Sequence, residues 1–128
     1  MELKEIRPII RTRQLEETIA FYEQLGFTCA AYDEAWGWAA LQRDKISLMA
    51  ALPLESQPFA QPLFTGSFYF LLEEGVDALW AMFKDKAKVC YPPETFPYGM
   101  REFAVFDNNG YLLQFGQPVA GDNESDAF

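Results

Sequence analysis

The side chains able to do chemistry in this chain are carboxylates, phenols, indoles and two thiols; histidine is absent. Without imidazole there is no Ser-His-Asp or Cys-His nucleophile pair, no histidine general base and no imidazole metal ligand. The thiols, Cys29 and Cys90, are too few for a disulfide framework or a four-cysteine zinc site. Each reads as a small, buried, reduced side chain. What remains is an aromatic set with acids beside it. Trp36 and Trp38 follow Asp33 and Glu34, Tyr69 lies in the run Ser67–Leu72, and Glu102 adjoins Arg101. Phe59, Phe64 and Tyr98 sit in or beside two proline-rich stretches. Planar rings stack on Trp and Tyr faces, and a cation over such a face gains roughly 0.5–2 kcal/mol per contact. That is the chemistry of holding an aromatic, cationic small molecule, and it needs no catalytic residue. Plainer readings stand beside it. Trp36 or Trp38 could pack a subunit interface, and Arg101-Glu102 could be a solvated strand pair worth ~0–1 kcal/mol. Phe21, Phe27, Phe68, Phe70, Trp80, Phe83, Phe103 and Phe115 read as core.

The charge balance narrows the partners. Ten Lys and Arg stand against 19 Asp and Glu in 128 residues, a net charge of −9. This argues against nucleic acid, whose phosphates require a basic footprint, and against an anionic membrane surface. It favours a cationic or neutral partner. The length suits one domain at roughly 100–200 residues each, with 50% hydrophobic residues to form its core. The charged start Met1-Glu2-Leu3-Lys4-Glu5 shows no signal peptide, and no run approaches the ~18 apolar residues of a membrane span. The simplest expectation is a cytoplasmic protein.

These candidates must be positioned by elements, and the pattern supplies them twice. Ile6–Thr12 reads as a strand in which Pro8 marks an edge or a bulge. Leu15, Ile19, Tyr22 and Leu25 recur at helical spacing, and Gly26 ends the helix. Phe27–Tyr32, Trp36–Arg43 and Ile46–Ala51 read as strands, the last two joined by the polar turn Arg43-Asp44-Lys45. Pro53–Phe64 reads as a linker. Ser67–Leu72 is again a strand, and Val76, Leu79, Trp80 and Phe83 form a second helix face with acids before it and lysines after it. Lys88–Tyr91 reads as a short strand and Pro92–Pro97 as a loop. Arg101–Phe106 and Tyr111–Gly116 flank the turn Asp107-Asn108-Asn109-Gly110. The order β-α-β-β-β therefore repeats: Leu15 and Val76 are 61 residues apart, as are Cys29 and Cys90. Residues 118–128 read as an acidic, frayed tail.

Two stretches carry a resemblance. One is Arg7-Pro8-Ile9-Ile10-Arg11-Thr12 leading into Leu15, Phe21-Tyr22 and Leu25-Gly26-Phe27; the other runs from Gly99 through Arg101-Glu102-Phe103-Ala104-Val105 and Asp107…Gly110 to Phe115. Over residues 4–117 the chain resembles the vicinal oxygen chelate superfamily of glyoxalase I, extradiol dioxygenases and bleomycin resistance proteins. The second stretch is similar to the bleomycin resistance branch in particular. The resemblance implies an α+β fold: two βαβββ modules in tandem, residues 4–51 and 64–116 of one domain spanning 1–117, forming curved mixed sheets with a concave cleft. It also implies a homodimer, strand-swapped in that branch, with ligand grooves at the subunit interface. In the metal-dependent members four strand positions supply ligands. The match puts Arg7, Met49, Ser67 and Gln114 there, and only Gln114 keeps a usable, neutral ligand. Arg7 would repel a cation, and a thioether is a poor ligand for a hard divalent ion. No metal and no cofactor is therefore expected. Alternation puts Phe68, Phe70 and Leu72 on one face and Ser67, Tyr69 and Leu71 on the other; the resemblance implies that the first set packs in the core and the second faces the groove. Tyr69 and Trp38 match aromatic positions that face ligand.

Three functions follow as expectations. The leading one is a metal-free binding protein of bleomycin-resistance type, sequestering an aromatic and cationic antibiotic-like molecule. Its groove would draw on Trp36, Trp38, Tyr69, Tyr98, Phe64, Glu102, Gln114, Arg7 and Ser67. The second is a lyase- or isomerase-type enzyme of the glyoxalase superfamily with a rebuilt site, in which Tyr69, Glu102 or Arg7 acts as acid, base or anchor. The third is an adaptor that binds a macromolecule through a flat surface.

Overall fold

The structure is a computed structural model and describes residues 1–55 and 66–119. It divides into two compact units, residues 1–63 and 64–128. Each is built as β-α-β-β-β, as the repeat predicts.

The first unit begins with β1 (Ile9–Arg11), followed by α1 (Leu15–Gln24), β2 (Thr28–Asp33), β3 (Trp38–Arg43) and β4 (Ile46–Ala51). The sheet order is β1-β4-β3-β2, with β1 parallel to β4 and the other pairs antiparallel. Pro8 is tolerated because β1 is an edge strand, and its carbonyl accepts the Met49 N–H at 2.9 Å. Leu15, Thr18 and Tyr22 of α1 are buried, as are Ile10, Ala39, Leu41, Leu48 and Ala50 of the sheet. By alternation Ile9, Trp38, Ala40 and Met49 lie on the face turned away from α1. The first strand is shorter than expected. Trp36 and Gly37 are not the start of β3 but part of the β2–β3 turn, where Gly37 has φ +70° and Asp33 Oδ1 accepts the Trp36 N–H.

The second unit comprises β5 (Ser67–Leu71), α2 (Val76–Phe83), β6 (Lys88–Phe96), β7 (Met100–Phe106) and β8 (Leu112–Pro118). Its sheet order is β5-β8-β7-β6, with β5 parallel to β8. Phe70, Phe115 and Phe103 stack in sequence at 4.8 and 5.2 Å between centroids, and Trp80 and Phe83 of α2 meet Phe103 edge-on. The Asp107–Gly110 turn forms as predicted: Asp107 Oδ1 accepts the N–H groups of Asn109 and Tyr111. Two expectations are corrected. Residues 92–96, read as a proline loop, extend β6 to nine residues. They do so because β6 is an edge strand, and its pairing with β7 breaks between Tyr91 and Glu94, where Pro92 and Pro93 need donate nothing. Likewise β8 runs through Pro118, which pairs with Met100, so the tail does not begin there. The expected buried thiols are also corrected: Cys29 is half-buried and Cys90 exposed, both on edge strands.

Candidate functional site

The residues with chemistry gather on the face of the second sheet turned away from α2. Alternation along β7 sends Phe103 and Val105 to the helix side and Glu102 and Ala104 to the other. The two members of the expected Arg101-Glu102 pair therefore part company. The Arg101 guanidinium joins the Asp77 carboxylate of α2 at 3.0 Å, while Glu102 is only 1% exposed. That ion pair holds the Asp77 carboxyl below its usual range, chiefly through its hydrogen bonds. It is no solvated pair of strand neighbours.

Burying a carboxylate is costly unless its oxygens are satisfied. Here four donors do so. Tyr69 Oη donates to Glu102 Oε1 at 2.9 Å and Tyr98 Oη to the same oxygen at 2.6 Å. Tyr91 Oη donates to Oε2, as does Gln114 Nε2 at 3.4 Å. Gln114 is itself held: Ser67 Oγ donates to its Oε1 at 2.5 Å, and its Nε2 donates to Tyr91 Oη at 2.9 Å. The strands explain the convergence. Tyr69 pairs with Gln114 across β5–β8, Gln114 with Ala104 across β8–β7, and Tyr91 with Ala104 across β6–β7. Tyr98 arrives from the β6–β7 turn, closed by the Gly99 N–H on the Phe96 carbonyl. Gly116 makes the approach of Tyr69 possible: a Cβ there would lie 2.0 Å from Tyr69 Oη.

The site keeps its phenols protonated. Burial, then the hydrogen bond to Glu102, pushes the Tyr91 phenol up to about 12. The same two causes raise Tyr69 and Tyr98. A general base or phenolate nucleophile requires the opposite shift.

Of the residues singled out in the sequence, Ser67, Tyr69, Tyr98, Glu102 and Gln114 meet here. Tyr91 was missed, because reading Pro92-Pro93 as a loop cut its strand short; the only signal was its place at the end of Lys88–Tyr91. Trp36, Trp38 and Arg7 belong to the first unit. Trp36 is 82% exposed in its turn and Trp38 half-buried at the start of β3. Arg7 precedes β1 and pairs with Glu5, which raises the guanidinium through hydrogen bonding. Ile9, not Arg7, faces Met49 across the sheet. Phe64 and Phe59 lie outside the described residues.

The donor set does not fit a divalent metal. The one oxygen of Gln114 that could ligate accepts from Ser67, and the four acceptor places of Glu102 are filled by phenols and an amide. No group of three or more His, Cys, Asp or Glu among the described residues could hold an ion. No described helix is long and apolar enough to cross a membrane.

Two four-stranded mixed sheets, each with one helix, and a repeated βαβββ order define the class. Residues 5–115 match the Glyoxalase/Bleomycin resistance protein/Dioxygenase superfamily, and the chain belongs to that superfamily. Solved structures share the fold. One is a glyoxalase/bleomycin resistance protein/dioxygenase from Nocardioides, with TM-score 0.77 and 17% identity over 95% of this chain and 88% of that one. Another is a bleomycin-binding protein complexed with bleomycin, with TM-score 0.68 and 23% identity over 90% and 98%. A third is a bleomycin resistance determinant encoded on the transposon Tn5, with TM-score 0.69 and 25% identity over 91% and 98%. Comparison with curated proteins gave no match.

Proposed function

We propose that this chain is a small-molecule binding protein that sequesters an aromatic, cationic ligand of the bleomycin type without a metal and without changing it chemically. One observation carries the proposal. Glu102 is buried, four neutral donors surround it, and no basic side chain among the described residues forms an ion pair with it. Four donors on two oxygens is the pattern of an acceptor-only carboxylate. The site thus offers negative charge that the described protein does not neutralise, beside the partly exposed rings of Tyr69 and Tyr98. A planar cation suits both. The enzyme alternative finds less support where it needs a phenolate base or nucleophile, since the phenols are held protonated.

The reading includes a homodimer with its groove between copies. In the first unit Ile9, Trp36, Leu52 and Leu54 are exposed large apolar side chains, the kind that an interface covers. Titration calorimetry with metal-free bleomycin tests the binding, with light scattering on the same sample for the mass of two chains. Expected are saturable heat, quenching of tryptophan fluorescence and recovery of intact ligand. Absence of both heat and quenching at high micromolar ligand overturns the reading.

A further inference from the structure

The two oxygens of Glu102 are not held alike. Oε2 is gripped by Tyr91 and Gln114, both half-buried and tied onward to each other, and Gln114 to Ser67. Among the described residues Oε1 accepts hydrogen bonds from the phenols of Tyr69 and Tyr98, which are 37% and 42% exposed and come from separate elements, β5 and the β6–β7 turn. Of the two oxygens, Oε1 is thus the one whose described donors sit on partly exposed side chains. We infer that the site selects cations bearing N–H donors (amidinium, guanidinium or primary ammonium groups), and that such a group binds by replacing the Tyr69 and Tyr98 hydroxyls on Glu102 Oε1. This rests on the reading of the site as a cation receptor.

The selection follows from what each guest leaves behind. An N–H cation returns two donors to Oε1, now charge-assisted and roughly twice as strong as the neutral bonds they replace. Gly116 adds no Cβ to the space that Tyr69 Oη gives up, so the head group meets backbone there and not a further side chain of β8. A quaternary ammonium has the charge but no donor. Displacing the phenols would strand a buried oxygen, and leaving them in place confines it to the ring faces. A neutral amide has donors but no charge. Only the first class gains both terms.

The test uses the full chain and three phenyl-bearing probes, benzamidinium, phenyltrimethylammonium and benzamide, each titrated while amide NMR shifts are followed. Benzamidinium is expected to bind at least tenfold more tightly than either of the others, with shifts centred on Tyr69, Glu102 and Gly116. Glu102→Gln should abolish that preference. Tyr98→Phe, which uncovers one acceptor place on Oε1, should tighten benzamidinium and leave phenyltrimethylammonium unchanged; it reads the same contact should the Gln variant not fold. Phenyltrimethylammonium binding within tenfold of benzamidinium overturns the selection while leaving the cation site standing. If none of the probes binds, the selection falls, while the bleomycin titration decides the proposed function separately.

Discussion

Glu102 and its three phenols depend on one another, and alkaline pH separates them. In the unfolded chain a tyrosine ionises near 10. In the fold Tyr91 does so only at about 12, and Tyr69 and Tyr98 are raised as well, first by burial and then by the hydrogen bond to Glu102. A raised value means that the folded state holds its proton more tightly. The stability this confers is fully present below pH 10 and drains away as pH climbs through about 12. Denaturant midpoints should therefore hold steady from pH 8 to about 9.5 and fall beyond 10, with phenolate absorbance at 295 nm lagging behind free tyrosine. Glu102→Gln should shorten that lag without abolishing it, because burial is the larger cause and survives the substitution. Its amide would also point a donor at donors, at a cost of about 1–3 kcal/mol. Phenol titration unchanged by Glu102→Gln would contradict the network.

The strands decide which residues can meet, and Gly116 is the tightest instance. In a strand interior Ala normally improves on Gly by roughly 0.5–1 kcal/mol. At 116 the added Cβ would lie 2.0 Å from Tyr69 Oη and 2.8 Å from its Cζ, so the ring must swing off Glu102. Gly116→Ala should therefore cost about 1–2 kcal/mol net, the loss of a bond to a buried acceptor outweighing the gain. In a Tyr69→Ala background the same change should be neutral or stabilising, a coupling that a double-mutant cycle in urea measures. None of this close approach can be seen in a sequence, where Gly116 is only the residue after Phe115. What could be seen was local. The 3.6-residue period gave both helices, Asp107…Gly110 gave the turn, and period-two alternation sorted Phe68 and Phe70 from Ser67 and Tyr69. Alternation on β7 would also have parted Arg101 from Glu102, had the strand face been followed rather than the charge pair. The path of β6 was hidden because Pro92-Pro93 ordinarily ends a strand. Only the pairing partner β7 and a broken register make it continue, and with it went Tyr91. Ser67, Tyr69, Glu102 and Gln114 were found through a motif, but the bonds that join them depend on register between strands distant in sequence.

At the scale of the whole molecule the −9 charge acts differently from the single buried carboxylate, and salt tells the two apart. Surface charge steers a cation over distances comparable with the Debye length, about 30 Å at 0.01 M ionic strength and about 8 Å at 0.15 M. Raising salt between those limits should therefore slow association of a cationic bleomycin-type ligand by on the order of tenfold. Glu102 is buried, so its attraction for a bound cation is screened far less, and dissociation should change little over the same range. Glu102→Gln should do the reverse: it removes one charge of many from the steering field, but the one in contact, so dissociation quickens while the salt slope of association persists. Stopped-flow tryptophan fluorescence on both proteins separates the rates. Association insensitive to salt would leave the acidic surface as a device for solubility alone. A dissociation rate that Glu102→Gln does not move would place the ligand somewhere other than on this carboxylate.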